Sequence, residues 1–179
     1  MEQTVKVWDP VVRLFHWSLV VSFAVAWLTA DEWDNLHEWA GYAAAALIGF
    51  RLVWGLVGPR YARFSQFIRS PRDVAAYVGA TLKGKEPRYL GHNPAGSLMI
   101  LGLILAMAGT AATGWMLTLD SFWGAEWVEE THEAMATLML FMVATHVAGV
   151  IFASRRHKEN LVRAMIGGRK RAPGPTDVS

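Results

Sequence analysis

The sequence predicts an all-α protein of one domain over residues 1–179, an integral membrane four-helix bundle with both termini cytoplasmic. Two observations lead there. Four apolar segments lie at about 12–30, 37–58, 95–119 and 131–153, and a helix of about 20 residues is long enough to cross a bilayer. The charged residues are also separated by sign between alternate connectors.

The connectors predict the orientation. Two of them, with their flanks, hold nine Asp or Glu and no Lys or Arg, so their formal charge is −9. The rest of the chain holds all 17 Lys and Arg and the other six acids, so its formal charge is 17 − 6 = +11. Because short basic loops stay in the cytoplasm, we expect the termini, the connector 59–94 and the basic tail 154–179 to face inwards. The acidic connectors are then periplasmic.

Composition excludes several classes of site. The chain has no Cys, which rules out a disulfide framework, a thiolate-ligated iron–sulfur cluster and covalent c-type haem. The first dozen residues carry little positive charge and no small-residue cleavage site follows, so we expect the first apolar segment to be retained. The membrane is the expected surrounding, and no nucleic-acid partner is predicted.

The connector 59–94, called the inner connector because it is expected to face the cytoplasm, and the tail 154–179 are each predicted to contain a short surface helix. Ser70 is a capping residue, Pro71 suits the first helical position and Asp73 favours the first turn. The tail places apolar side chains among basic ones, at Leu161, Val162, Met165 and Ile166. Interfacial helices on anionic lipid have this composition.

Histidine spacing predicts two sites at different depths. His132 and His146 are fourteen residues apart, so on a helix they share one face about 21 Å apart. His37 opens the second segment level with His132, and His16 in the first segment is level with His146. His92 competes for the inner position, although it lies at the very start of the third segment.

Two imidazoles on opposite sides of a flat cofactor predict a bis-histidine haem b. The alternative for any one histidine is a hydrogen-bonded polar residue in the bundle. A zinc site is disfavoured because the two pairs are too far apart to supply one ion with three or four ligands. The third segment contributes small residues that allow close approach, namely Gly102, Ala106, Gly109 and Ala112.

These residues lie within motifs that resemble a family. RLFHW, HEWAGY, GHNPAG and the terminal THE…ATHVAGV…RRHKENLVRAMIGGRKR are similar to the bacterial cytochrome b561 family, in the branch close to the cytochrome b subunit of nickel–iron hydrogenases. The resemblance implies a four-helix cytochrome of the bacterial inner membrane with two b haems that exchanges electrons with a quinone. Carried over, His16 and His146 ligate the inner haem, and His37 and His132 the outer one.

Further residues are candidates for binding. Arg13 and Arg51 lie at the depth of the inner haem, and either of them is expected to be able to pair with a propionate. Glu38 and Glu133 follow the outer ligands, which predicts a lower potential for the outer haem. A quinone, ubiquinone or menaquinone, is expected near the end of the fourth segment, at His157, Lys158 and Asn160 with His92 at the same mouth. The alternative there is a lipid-binding basic tail.

Three functions stay open at this point. The first is an electron-transfer cytochrome between a periplasmic donor and the quinone pool, where the acidic outer side favours a basic redox protein such as a c-type cytochrome. The second is an enzyme, a superoxide:quinone oxidoreductase, or a subunit of a hydrogenase-like complex, although hydrogenase subunits have one more span. The third is a cofactor-free membrane anchor or a transporter.

Overall fold

The structure is a computed structural model that describes residues 3–179. Within that part the chain forms seven α-helices, two short 3-10 helices at Arg60–Ala62 and Asp120–Phe122, and two three-residue strands. In chain order the elements are β1 (Thr4–Lys6), α1 (Pro10–Thr29), α2 (Asp34–Val57), α3 (Phe64–Phe67), α4 (Pro71–Leu82), α5 (Pro94–Leu117), α6 (Glu126–Arg156), α7 (Leu161–Gly167) and β2 (Arg169–Arg171).

The predicted membrane helices are confirmed. The helices α1, α2, α5 and α6 are each long and apolar enough to cross a membrane, and together they account for the all-α bundle. The fourth begins at Glu126, about five residues before the apolar segment. Glu126 and Glu129 lie in its first turn, where acidic side chains stabilise the positive end of the helix dipole.

The helix of the inner connector begins where its capping residues predict. The Ser70 hydroxyl accepts from the Asp73 amide at 3.2 Å, and the Asp73 carboxylate accepts from the Ser70 amide at 3.2 Å. This reciprocal capping box satisfies two amides that the first turn of α4 leaves without partners. The exposed stripe of α4 includes Val78 and Leu82, as a helix lying on an apolar surface requires.

The chain divides into two compact units. The terminal unit comprises Met1–Arg13, Trp54–Leu101 and Ala144–Ser179, and the bundle unit comprises Leu14–Val53 and Gly102–Val143. From the sequence, the terminal unit holds 16 Lys or Arg against six acids, and the bundle unit holds one against nine. The formal charges are therefore 16 − 6 = +10 and 1 − 9 = −8.

Small residues bring the helices of the bundle unit together. Its core contains Ala44 and Ile48 of α2, Ala106 and Met107 of α5, and Met139 of α6. The side chains of Met142 and Met135 lie directly over Gly102 and Gly109 of α5, in the space where a Cβ would be. Three of the four small residues singled out on the third segment therefore serve helix packing.

The terminal unit joins three parts of the chain that are distant in sequence. Strands β1 and β2 are antiparallel, with Val5 opposite Lys170, and Val7, Trp8 and Ala164 form a small buried cluster. The Val178 amide also donates to the Arg88 carbonyl at 2.8 Å. The basic tail is thus folded onto the N-terminal segment and the inner connector.

Candidate functional site

The predicted outer histidine pair is brought together. His37 near the start of α2 and His132 on α6 are both half-buried within the bundle unit. Their ring centres are 6.1 Å apart and their planes cross at 80°. Two imidazoles from different helices at this separation can act on one ligand lying between them.

Backbone carbonyls fix the orientation of both rings. The Nδ1 atom of His37 lies 2.8 Å from the Ala26 carbonyl, and Nδ1 of His132 lies 3.0 Å from the Thr110 carbonyl. A carbonyl only accepts, so each Nδ1 carries the proton. In a neutral imidazole the other nitrogen, Nε2, then holds a lone pair for a metal.

The hydroxyl of Thr113 supports the same assignment. It lies 2.9 Å from the Gly109 carbonyl and 3.2 Å from Nδ1 of His132. Since its proton goes to a carbonyl, its oxygen is a second acceptor for the histidine Nδ1–H. A Cβ at Gly114 would lie 2.9 Å from Cε1 of His132, so this glycine leaves room for the ring.

Thr110, Thr113 and Gly114 were not predicted from the sequence. They are spaced i, i+3 and i+4 on α5 and therefore share one face of the helix. The signal that could have found them is this hydroxyl and glycine spacing within an apolar span. The partner histidine on α6 could not be read from it, because the contact joins residues about twenty positions apart.

The residues of this pair fit a haem. A metal–nitrogen bond to imidazole is about 2.0 Å long, so two rings with centres 6.1 Å apart are close enough that both would reach one metal ion. Among residues 3–179, no group of three or more His, Asp or Glu is placed to hold a metal ion. A donor set of two nitrogens suits a cofactor whose macrocycle supplies the remaining ligands.

The inner histidines lie on the predicted helices. His16 on α1 and His146 on α6 are half-buried, and the His16 ring stands edge-on to Trp17 with centres 5.1 Å apart. Because α6 is one continuous helix from Glu126 to Arg156, His146 lies about 21 Å along it from His132. The pairing of His16 with His146 stays a prediction.

The two arginines assigned to propionates differ in setting. The Arg13 guanidinium donates to the Ile166 carbonyl of α7, and its Nε is buried without a hydrogen-bond partner. Arg51 is buried in α2, with 4% of its surface exposed. An ionised side chain inside a membrane span requires a compensating group, and propionate pairing by either arginine stays a prediction.

The family assignment rests on most of the chain. The model of prokaryotic cytochrome b561 matches residues 7–168. The chain belongs to the prokaryotic cytochrome b561 family. The resemblance read from the motifs is thereby confirmed, and this cytochrome is a multi-pass membrane protein that binds haem b and transfers electrons. No curated protein matches the chain.

Two clefts in the terminal unit involve the predicted quinone residues. The apolar groove, of about 370 Å³, is lined by Val150, Ile151, Ser154, Arg155, Lys158, Glu159, Asn160 and Val162. The basic cleft, of about 530 Å³, is lined by Lys85, Glu86, Pro87, Arg88, Arg156, His157, Lys158, Arg171, Thr176 and Asp177. Lys158 therefore lines both, Asn160 the first and His157 the second.

The four quinone candidates have different surroundings. The Asn160 side-chain oxygen caps α7 by accepting from the Arg163 amide at 2.8 Å, which leaves its NH₂ group as a donor. His92 packs between the rings of Trp8 and Phe67, with centres 4.6 and 4.7 Å away, and lines neither cleft. The sequence had placed it at the same mouth as His157.

Burial lowers the pKa of His157. Glu86 acts in the opposite direction, and the charges of Arg88, Lys170 and Arg156 lower the pKa further. A histidine whose pKa lies below its usual value of about 6.5 is neutral at pH 7 and ready to accept a proton.

Beside these clefts lies a buried network of charges. Arg88 makes a bidentate pair with Glu159, at 3.1 and 2.7 Å, and also bonds Asp177. Lys170 donates to the Tyr89 and Leu90 carbonyls and lies 3.5 Å from Glu159. Burial by itself raises the pKa of Glu159, but bonds from Arg88 and the Arg171 amide outweigh it and hold that pKa below its usual value. From the sequence, Arg88 and Lys170 counted only toward the basic charge that predicts orientation.

Proposed function

We propose that the chain is a di-haem cytochrome of the bacterial inner membrane, passing electrons across it between a periplasmic donor and the quinone pool. His37 and His132 ligate the outer haem b, and His16 and His146 the inner one. The observation that carries the proposal is the His37–His132 pair, whose rings are 6.1 Å apart with both Nδ1 atoms against carbonyls.

Haem b supplies one-electron chemistry when bound. The chain's contribution is position and protonation state. The carbonyls of Ala26 and Thr110 hold each outer imidazole in the tautomer that presents Nε2. The separation of His132 and His146 along α6 sets the spacing of the two proposed sites. Without this fixed spacing, the two sites would not bridge most of the membrane thickness.

Charge supports an orientation with both termini in the cytoplasm. The terminal unit carries +10 and the bundle unit −8, as the preference of basic loops for the cytoplasm requires. Trp33, Trp39, Trp123 and Trp127, in or beside the acidic connectors, are all exposed. Tryptophan is enriched at both membrane interfaces, which supports a position of these connectors at a membrane surface, and their acidic charge favours the periplasmic one.

The quinone, ubiquinone or menaquinone, is proposed to bind in the apolar groove. Val150, Ile151 and Val162 give the groove an apolar wall. The Lys158 ammonium and the Asn160 NH₂ group donate hydrogen bonds to a quinone carbonyl. Neutral His157 does not line this groove but the basic cleft, which shares Lys158 with it, and from there it exchanges the proton that accompanies reduction. His92 is retained only as a more remote candidate, since it lines neither cleft.

One variant tests the quinone assignment. His157→Gln keeps a hydrogen-bonding side chain but cannot titrate, so we expect quinone reduction to slow at least about tenfold and lose its pH dependence between about pH 5 and 8. Arg163→Ala in α7, outside both clefts, is the matched control. Unchanged kinetics in His157→Gln, with haem content intact, would return this segment to the lipid-binding alternative.

The donor is proposed to be a basic periplasmic redox protein such as a c-type cytochrome. Nine carboxylates and no Lys or Arg lie in and beside the two acidic connectors, and such a surface attracts cationic partners and repels superoxide. The reduction rate of the outer haem by a basic cytochrome should fall steeply with ionic strength. Fast reduction by superoxide beside a salt-insensitive protein reaction would favour the superoxide:quinone oxidoreductase.

A further inference from the structure

The basic cleft carries more positive charge than its own acids neutralise. Five Lys or Arg and two acids line it, which gives 5 − 2 = +3. Both acids are already engaged, Glu86 with Arg156 at 2.8 Å and Asp177 with Arg88. Within residues 3–179, the side chains of the remaining three cations make no ion pair; they are Lys85, Lys158 and Arg171.

The wall of the cleft is held in place by buried bonds. Arg88 is 5% exposed and donates to the Arg171 carbonyl at 2.9 Å, while the Arg171 amide donates to Glu159 at 2.7 Å. The Asp177 carboxylate also accepts from the Gly174 amide at 2.9 Å. These bonds fix the backbone that presents Arg171 and keep the carboxylates turned to other partners, so the cationic surface is preorganised.

Lys158 adds a second, independent observation. Its φ of 52° makes it the one residue other than glycine with positive φ between residues 3 and 179. Lys158 follows the end of α6, where the Glu159 amide donates to the Ser154 carbonyl at 3.0 Å. In a helix ending of this kind, glycine is the usual residue at the position with positive φ. An L-residue meets a steric penalty in this conformation, yet this position carries a lysine that lines the cleft.

The cleft lies beside the end of a membrane span. Arg156 is the last residue of α6, and the next two residues, His157 and Lys158, also line the cleft. The end of a span lies at the level of the lipid headgroups, where the abundant anion is a phosphodiester. A volume of about 530 Å³ falls within the range of small-ligand sites.

We propose that the basic cleft binds the phosphate-bearing headgroup of an anionic phospholipid. Lys85, Lys158 and Arg171 donate to the phosphate oxygens, and the Thr176 hydroxyl adds a neutral donor. Basic pockets at the cytoplasmic side of membrane helices bind such headgroups by the same chemistry. This site is separate from the apolar groove assigned to the quinone, although Lys158 lines both.

Native mass spectrometry of the detergent-purified holoprotein tests the proposal through Lys85 and Arg171, which lie outside the quinone site. Phosphatidylglycerol is titrated against phosphatidylcholine, with sodium phosphate at matched ionic strength as competitor. We expect the wild type to prefer phosphatidylglycerol and the Lys85→Ala/Arg171→Ala variant to bind it about 10- to 30-fold more weakly, a factor of about five for each cation.

The matched control is Arg72→Ala/Lys83→Ala, which removes two exposed cations of the same connector outside the cleft. It should change phosphatidylglycerol binding less than about twofold. Equal losses in the two double variants, or equal binding of the two lipids by the wild type, would overturn the proposal. Displacement of the lipid by millimolar phosphate would instead identify free phosphate as the ligand and would overturn the assignment to a lipid. Arg171→Gln, checked by thermal melting, replaces Arg171→Ala if the latter unfolds.

Discussion

The bundle unit and the terminal unit bury polar groups in different ways, with the buried Arg51 of the bundle unit as an exception. In the bundle unit, polar side chains bond to backbone carbonyls of helices, as Thr29 does to Val25 at 2.7 Å and the two outer histidines do to Ala26 and Thr110. In the terminal unit, full charges are buried together, with Arg88, Glu159, Asp177 and Lys170 in one network.

The difference follows from what surrounds each unit. Within a bilayer, helices satisfy their own backbone groups, and a buried charge costs most, so neutral donors such as histidine Nδ1–H are preferred. The buried Arg51 is the exception, and a charge in that position requires a compensating group. In the terminal unit, desolvation of Glu159 is offset because it accepts three hydrogen bonds and faces two cations. A buried ion pair is stable only when its remaining bonds are also satisfied.

The largest expected effect separates the haem ligands. His132→Ala should lose the outer haem and keep the inner one, and His146→Ala should do the reverse, because each removes an imidazole that would hold one of the two proposed haems. The measurement is haem per polypeptide, expected to fall from two to one. His92→Ala, the control, should retain both. A count of two in either ligand variant would show that the pairing is wrong.

The next largest effect is expected from a substitution that breaks the charge network of the terminal unit. Glu159→Gln leaves Arg88 and Lys170 buried with less compensation, so we expect a loss of about 3 kcal/mol, seen as a fall in melting temperature of about 10 °C. Glu129→Gln, on the exposed part of α6, should change stability by less than about 0.5 kcal/mol.

The same variant predicts a pH dependence. The pKa of Glu159 is below its usual value in the folded protein, so its contribution is complete above the unfolded value of about 4.3 and is lost as pH falls through the folded pKa. The gap in melting temperature between wild type and Glu159→Gln should therefore narrow below about pH 4. A gap that stays constant with pH would contradict this role for the carboxylate.

A smaller effect is expected in the difference between the redox potentials of the two proposed haems. Glu38 and Glu133 adjoin the outer ligands, whereas Arg13 and Arg51 are assigned to the inner haem, and nearby cations disfavour the ferric charge. We expect the outer haem to have the lower potential by on the order of 50 mV, close to a tenfold change in a one-electron equilibrium. Redox titration of His132→Ala and His146→Ala measures each haem alone, and a higher outer potential would refute the assignment.

The smallest effect concerns Lys158. Glycine adopts a φ of 52° without steric cost, so Lys158→Gly should stabilise the terminal unit by about 1 kcal/mol and raise its melting temperature by about 2–4 °C. Lys83→Gly, where φ is −89°, should give no gain. Destabilisation by Lys158→Gly would mean that the lysine side chain itself holds the end of α6.

The sequence predicted the elements whose causes are local. Apolar length determined the four spans, and Ser70 with Asp73 determined the start of α4 because a capping box closes within one turn. The depth of His132 and His146 followed from helix rise alone. The outer pair was predicted because two independent helices place a histidine at one level, and the structure brings those rings to 6.1 Å.

What the sequence by itself determined is therefore the number of spans, the cap of α4 and the position of His132 and His146 on one helix, since these depend on local residue patterns. Only the tertiary structure decided which carbonyl holds each outer imidazole, and that Arg88 meets Glu159 and Asp177 across 71 and 89 positions. Such contacts depend on where the chain returns in space, which no local periodicity records. The tail lines the basic cleft because it folds back onto the connector 59–94.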